Sequence, residues 1–436
     1  MAINNYNTMF YLLNQKGLFR TSQKTPDSRI FAGRHGKEWV KKLFDLRLET
    51  RYRTVRNQVS EFLDVSTYTD LRTLIMDEKL RQQASKRAFV LLGNMFGIDG
   101  TDQEVISRVE NYASIADNVI RYLKTRVFAH YDHYFEMTNE IEMANDPVEL
   151  LLIIFDDRYH KKARFEAKRK LVLMNMAASI DQRERETHIE KKFKEFLKFL
   201  NEYVWNRDDR IGESNSVFLV SRHDADNFSC MNVKVVPQQE FNKTERLNGC
   251  KITPLNRRRF QLNGREIPIY VSVRKKAPEA KVLKLLRKGE ENPAAAVDDE
   301  LGLMGVVDSR IDIKLFQQHL THSATQAGSF MALEEVNDNL SSAHLKNNEA
   351  GSNPKTAMFK FFARMGGMRV EFILHSNKTY LDYIYCRCKS HDEYEVKRII
   401  DSGVGELLFP QDIYNLDLTV IRDELIQWIR RRIEET

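Results

Sequence analysis

The hydrophobic period of this chain changes once, near residue 214, and that change restricts it to a helical part followed by a sheet-containing part. From about Leu43 to Asn206 apolar residues recur at three- and four-residue spacing, with few glycines or prolines. In IEKKFKEFLKFLNEYVW, Ile189, Phe193, Phe196, Leu197 and Leu200 share one helical face. Beyond residue 214 come short runs rich in β-formers: SVFLV, MNVKVV, PIYVSV, LMGVV, FKFFA and MRVEFIL. Gly, Pro and Asn punctuate them, as strands require. Helices are expected between these strands at Pro278–Arg287 and Ile313–Asn339. The stretch SSAHLKNNEAGSNPK reads as a polar loop, and TVIRDELIQWIRRRIEET as a C-terminal amphipathic helix. The expected class is α plus α/β, a helical domain followed by a mixed-sheet domain. A length of 436 residues allows about two to three domains. The expected division is an N-terminal segment 1–42, a helical domain 43–206, a sheet domain 207–400 and a C-terminal helical segment 401–436.

Composition narrows the function classes. A chain 42% hydrophobic and 30% charged is that of a globular protein with a charged surface. The net charge of +6 suits anionic substrates without demanding nucleic acid. No apolar run is long enough to span a membrane. The opening MAINNYNTMFYLLNQKG lacks the basic-then-apolar order of a secretory signal, so a cytoplasmic location is expected. Cys230, Cys250, Cys386 and Cys388 lack zinc-site spacing and are expected to be reduced thiols.

Two separated stretches carry carboxylates beside β-rich runs. One is AVDDELGLMGVV, Ala296 to Val307, with Asp298 and Asp299; the other is PKTAMFKFFARMGGMRVEFILHS, Pro354 to Ser376, with Glu371. Two acids on neighbouring strands can grip Mg²⁺ on a nucleotide, because Mg²⁺ prefers one or two carboxylates plus phosphate oxygens. Ahead of the first stretch lies RKKAPEAKVLKLLRK, Arg274 to Lys288. Pro278 suits a first helical turn. Lys281, Lys284 and Lys288 then fall on one face and Val282, Leu285 and Leu286 on another. A strand, a basic helix, an acidic strand and a strand pair with a second acid form a nucleotidyltransferase-like order.

These residues resemble the RelA/SpoT-homologue family of alarmone synthetases and hydrolases. Asp299-Glu300-Leu301-Gly302 is similar to the start of the family's D-x-x-G-x-R segment. Pro354-Lys355 and Phe359 resemble its P-K-x-N-G-Y loop, and Glu371-Phe372-Ile373-Leu374 its E-x-Q-I-R-T strand. Downstream, KSHDEYEVKR puts His391 and Tyr394 where the family has A-A-H-W-x-Y-K. The departures are Met304 for the family's arginine, Thr356-Ala357-Met358 for x-Asn-Gly, Ala363 for a histidine, Ile373 for glutamine and His375 for arginine. In the helical half, LLIIFDDRYHKKAR is similar to the hydrolase segment L-I-K-L-A-D-R-L-H-N-M-R at Asp157, Arg158 and His160. No His-Asp pair precedes Asp157; AHYDHYFE offers only His130, Asp132 and His133. That half is expected to be a degenerate HD-like scaffold without hydrolysis, with Asp157 and Arg158 as a structural ion pair.

The resemblance implies a Mg²⁺-dependent pyrophosphokinase. It would move pyrophosphate from ATP to the 3′-hydroxyl of a guanine nucleotide or an RNA 3′ end. Asp299 and Glu371 would hold the metal and serve catalysis. Arg274, Lys276, Lys281, Lys284 and Lys288 would meet the ATP phosphates, Phe359 would stack on the acceptor base, and His391 would complete the nucleotide site. The alternative is a silent nucleotide-sensing or protein-interaction homologue. The sequence leaves the oligomeric state open.

Overall fold

A computed structural model describes residues 58–205, 215–241, 249–290, 292–298, 300–340 and 356–435. They form a helical region and one eight-stranded mixed sheet. Two compact units result. The first holds the described residues up to Glu186, with Ala277–Ala296 and Ile399–Arg422; the second holds Thr187–Lys276, Val297–Arg398 and Asp423–Thr436. Both are discontinuous in sequence, unlike the consecutive division expected from texture alone. No described helix is long and apolar enough to cross a membrane.

In the helical unit several helix starts have a local cause. Thr67 with Asp70, and Thr101 with Glu104, form reciprocal capping boxes for helices Tyr68–Met76 and Asp102–Tyr122. Pro147 opens helix Pro147–Phe155 behind the Asp146 cap. Val105, Val109, Tyr112, Ala116 and Val119 turn one face of Asp102–Tyr122 inward, and that helix packs on the long helix Lys161–Glu186. The long helix buries polar groups too. Glu166 is fully buried and accepts from the Thr138 backbone N–H at 2.8 Å, the Thr138 hydroxyl at 2.9 Å and the Tyr414 hydroxyl at 2.8 Å. Arg169, 1% exposed, donates to the Tyr414 hydroxyl at 2.6 Å and the Leu408 carbonyl at 2.7 Å. This network ties Ile399–Arg422 to the long helix.

The basic helix runs Pro278–Lys288 and ends at Gly289. It belongs to the helical unit because Val282, Leu285 and Leu286 are buried and the helix packs on Asp102–Tyr122 and Lys161–Glu186.

The sheet unit contains β1 Asn215–His223, β2 Cys230–Pro237, β3 Lys251–Leu262, β4 Arg265–Lys275, β5 Leu301–Val307, β6 Ala332–Asp338, β7 Phe359–Met365 and β8 Met368–Ser376. Their order is β2-β1-β3-β4-β5-β8-β7-β6. Every pairing is antiparallel except β5 with β8. Two tight hairpins set register. Asn263-Gly264 joins β3 to β4 and Gly366-Gly367 joins β7 to β8, all four residues at positive φ as two-residue hairpin loops require.

One sheet face is apolar. Phe260, Ile269, Leu303, Phe361, Phe372 and Leu374 pack against helices Ile189–Phe199 and Arg310–Gln326 through Phe196, Phe316 and Leu320. Helix Arg310–Gln326 stops short of the expected Asn339. Gly328 at φ +70 follows its end, and Ala332–Asp338 pairs with β7 as an edge strand.

In the same unit Glu393, 1% exposed in its side chain, accepts from Arg430 at 2.8 and 2.9 Å and from Lys397 at 2.5 Å. Burial pushes this carboxyl up, but those cations and the Cys388 backbone N–H outweigh it and bring it down to about 2. A depressed folded-state value stabilises fully above the ordinary 4.5 and is lost as pH falls from there to about 2. Glu393→Gln should therefore cost about 2 kcal/mol at pH 7. The difference from wild type should shrink below pH 4.5 in denaturant melts; a gap independent of pH would refute the charge account.

Candidate anion-binding site

The second sheet face is polar where β4, β5 and β8 meet. Register places Arg274, Gly302 and Glu371 side by side across the three strands, with Phe362 of β7 beyond. Alternation brings Tyr270, Ser272, Met304, Ile373 and His375 to the same face. Helix Asn377–Tyr385 lies over part of it, with Tyr380 5.9 Å from Tyr270 and Tyr383 5.3 Å from His375 between ring centroids.

Glu371 is the centre of a cation cluster. Its side chain is 7% exposed. Lys360 Nζ donates to Oε1 at 2.8 Å, and Arg274 Nη2 donates to Oε2 at 3.3 Å. Lys276 Nζ lies 3.9 Å from Oε2. Burial alone would raise this carboxyl, but Lys276, Lys360 and Arg274 together hold it below the ordinary 4.5. Arg274 is about half exposed, so its guanidinium is open to solvent on one side.

Gly302 gives Arg274 room across β5. A Cβ there would sit 3.3 Å from Arg274 Nε and 3.5 Å from its Cγ, so any larger residue would push the arginine by a few tenths of an ångström from its place across β5. Gly302→Ala should displace Arg274 while costing less than about 1 kcal/mol, since the obstructed group is a flexible side chain. Its checkable consequence is weaker binding of a polyphosphate by titration, with melting temperature nearly unchanged. Equal affinity in wild type and variant would remove Arg274 from the site.

The residues expected from sequence divide three ways. Arg274, Lys276 and Glu371 come together. Asp299, with Pro354 and Lys355, lies outside the described residues; the strand following Asp299, β5, is the parallel neighbour of β8. Lys281, Lys284 and Lys288 belong to the helical unit. Lys281 departs from the expected solvated cationic face: it is fully buried and ion-paired with Glu184. Burial of its neighbours Val282 and Leu285 carries its stem inward, and Glu184 compensates its charge.

Phe359 likewise does not present the open ring expected of a stacking residue. It is 4% exposed, packed on Phe361 at 5.4 Å, with Lys314 Nζ 3.8 Å above its ring. Register puts it on the apolar face. His391 is exposed and stacks on Tyr383 at 5.3 Å. Burial raises the Tyr383 phenol to about 12 while Arg274 pulls it down, so this ring pair neighbours the cluster. Lys360 and Tyr383 escaped the sequence reading. Lys360 was obtainable: a two-residue turn at Gly366-Gly367 pairs Lys360 with Ile373, diagonal to Glu371.

Asp157 and Arg158 do not pair with each other. Arg158 forms a bidentate bond with the buried Asp156, and the exposed Asp157 pairs with Arg164 at 3.0 Å. The tight turn between helices Pro147–Phe155 and Lys161–Glu186 directs the two acids apart. None of the four cysteines is in a disulfide.

Of the two carboxylates expected to hold Mg²⁺, Glu371 lies among the described residues and Asp299 does not. Glu371 is the single described carboxylate in the cluster and is already matched by three cations. No group of three or more His, Cys, Asp or Glu able to hold a metal occurs among the described residues. What the cluster can hold is an anion with several oxygens, such as a phosphate. Compared with protein-family models, curated proteins and solved structures, the chain matches none.

Proposed function

We propose that the sheet unit binds a nucleotide through its phosphates at Arg274, Lys276 and Lys360, as a divergent relative of RelA/SpoT-type nucleotidyltransferases. The observation that supports this is the convergence of three cations on one buried carboxylate, with Arg274 half exposed at its edge. The exposed guanidinium would make charge-assisted bonds to phosphate oxygens. The resemblance in order and spacing supplies the ligand class: ATP as donor, a guanine nucleotide as acceptor, with an RNA 3′ end as the other acceptor.

Pyrophosphoryl transfer on this face would proceed in line. The acceptor 3′-hydroxyl oxygen bonds to the β-phosphorus as the bond to the departing AMP oxygen breaks. The hydroxyl proton passes to Glu371, and the cations offset charge on the transferred oxygens. The pairing of Glu371 with Lys360 favours a second reading. A carboxylate held at 2.8 Å by an ammonium is a weak base, which suits a nucleotide sensor that performs no transfer.

One experiment separates them. Full-length protein is incubated with γ-labelled ATP, Mg²⁺ and GDP, GTP or RNA, and melting temperature is followed in parallel. The transferase reading expects labelled acceptor; the sensor reading expects a nucleotide-dependent rise in melting temperature without product. If neither occurs, the nucleotide proposal falls.

A further inference from the structure

Three aromatic rings form a series that runs outward from the polar sheet face. His375 is fully buried, Tyr383 is half-buried and His391 is exposed. His375 and Tyr383 lie 5.3 Å apart between ring centroids at 38°, and Tyr383 and His391 5.3 Å apart at 28°. Local structure fixes each ring. Strand β8 puts His375 on the face of Glu371 and Ile373. Ser376 and Thr379 form the capping box that starts helix Asn377–Tyr385. Tyr380 and Tyr383, three residues apart, then share the side turned to the sheet, where they meet Tyr270 and His375. The next helix begins at His391, behind the Ser390 hydroxyl that accepts from the Glu393 N–H at 3.3 Å.

Charge is unequal along this series. Arg274, Lys276 and Lys360 gather at Glu371, whereas Asp392 and Glu395 belong to the helix that carries His391. Burial raises the Tyr383 phenol to about 12; Arg274 pulls it down, and Asp392 and Glu395 add to the rise, so this ring stands between the two sets. A phosphate is drawn to the cationic end and repelled from the acidic one, while a neutral aromatic ring meets no such barrier at His391. Four residues along β8 separate Glu371 from His375, about 13 Å. The two ends are therefore far enough apart to hold different parts of one nucleotide. We propose that His391 is the platform on which the base of a purine nucleotide stacks, extending the ring series by one while the phosphates meet Arg274. Stacking needs only an aromatic face, and a purine offers a larger one than a pyrimidine. The inference rests on the phosphate reading of the same face and gives the base a place that the buried Phe359 does not offer.

The test titrates the full-length protein with ATP, UTP and inorganic tripolyphosphate by calorimetry, for wild type, His391→Ala and His391→Phe. Because His391 is exposed, both substitutions should leave the melting temperature nearly unchanged. His391→Ala should weaken ATP about tenfold, the scale of one base–aromatic stack, and leave tripolyphosphate unchanged. His391→Phe should keep the wild-type affinity for ATP, and UTP should bind wild type more weakly than ATP. In His391→Ala, an undiminished ATP affinity or an equal loss of both ligands overturns the platform and leaves the phosphate site standing. A His391→Phe variant as weak as His391→Ala overturns stacking in favour of a hydrogen bond. UTP bound as tightly as ATP overturns the purine assignment. If neither ATP nor tripolyphosphate binds wild type, the phosphate reading falls and the platform falls with it.

Discussion

Replacing Glu371 by leucine should destabilise the protein by about 3 kcal/mol or more, because removing one partner of a buried ion cluster strands the others. Lys360, 7% exposed, loses its 2.8 Å partner and cannot reach bulk water without disturbing β7. Arg274, half exposed, rehydrates at little cost. The double variant Glu371→Leu with Lys360→Met should recover most of the loss, since apolar groups of similar size can replace a buried pair. The pH dependence has a fixed sign. The folded carboxyl lies below 4.5, so its contribution is complete above that pH and disappears as pH falls through the folded value. Urea melts of the single and double variants at pH 7 and pH 4 check both statements. A double variant as unstable as the single would show that packing, and not charge, holds Glu371.

The second large effect belongs to Glu166. It is fully buried and accepts three hydrogen bonds, and its neighbour Arg169 is 1% exposed with Nη2 3.8 Å from the carboxylate. Glu166→Ala leaves the Thr138 N–H and hydroxyl and the Tyr414 hydroxyl short of an acceptor, and removes the anion nearest Arg169. The expected cost is about 3–5 kcal/mol, the scale of breaking a buried charged network. Tyr414→Phe, which keeps the ring and removes one bond to each partner, should cost only about 1–2 kcal/mol. The Ile399–Arg422 segment should lose hydrogen-exchange protection first in Glu166→Ala. Uniform loss across the helical unit would mean that the segment is not held by this network.

Local pattern carried part of this architecture. The change of period near residue 214 and the six β-rich runs correspond to strands β1, β2, β4, β5, β7 and β8. β3 was missed because its sequence KITPLNRRRFQL hides alternation behind charge: Arg257 and Arg258 are both buried, and Arg257 Nη2 meets Asn377 and Asp308, each at 2.8 Å. β6 was missed because ALEEVND alternates without burying much, as an edge strand can. The discontinuous units were not legible either. Helix Pro278–Lys288 owes its place to apolar contacts with helices Asp102–Tyr122 and Lys161–Glu186, far earlier in the chain, which no local window contains. At the site, Arg274 and Glu371 were visible as charges beside strands. The burial of Phe359 followed from strand parity, which an aromatic in a run of four large residues does not reveal.

The most direct test of the central claim is the melting temperature of the full-length protein titrated with ATP, for wild type and for Lys276→Met. Lys276 stands at the edge of the cluster, 18% exposed, so its loss leaves Glu371 paired with Arg274 and Lys360. Wild type at a hundredfold excess over Kd should gain about 2.7 kcal/mol, and the variant clearly less at the same ATP concentration. Wild-type melting unmoved by ATP or any guanine nucleotide, or equal shifts in the two proteins, would contradict phosphate binding at this face.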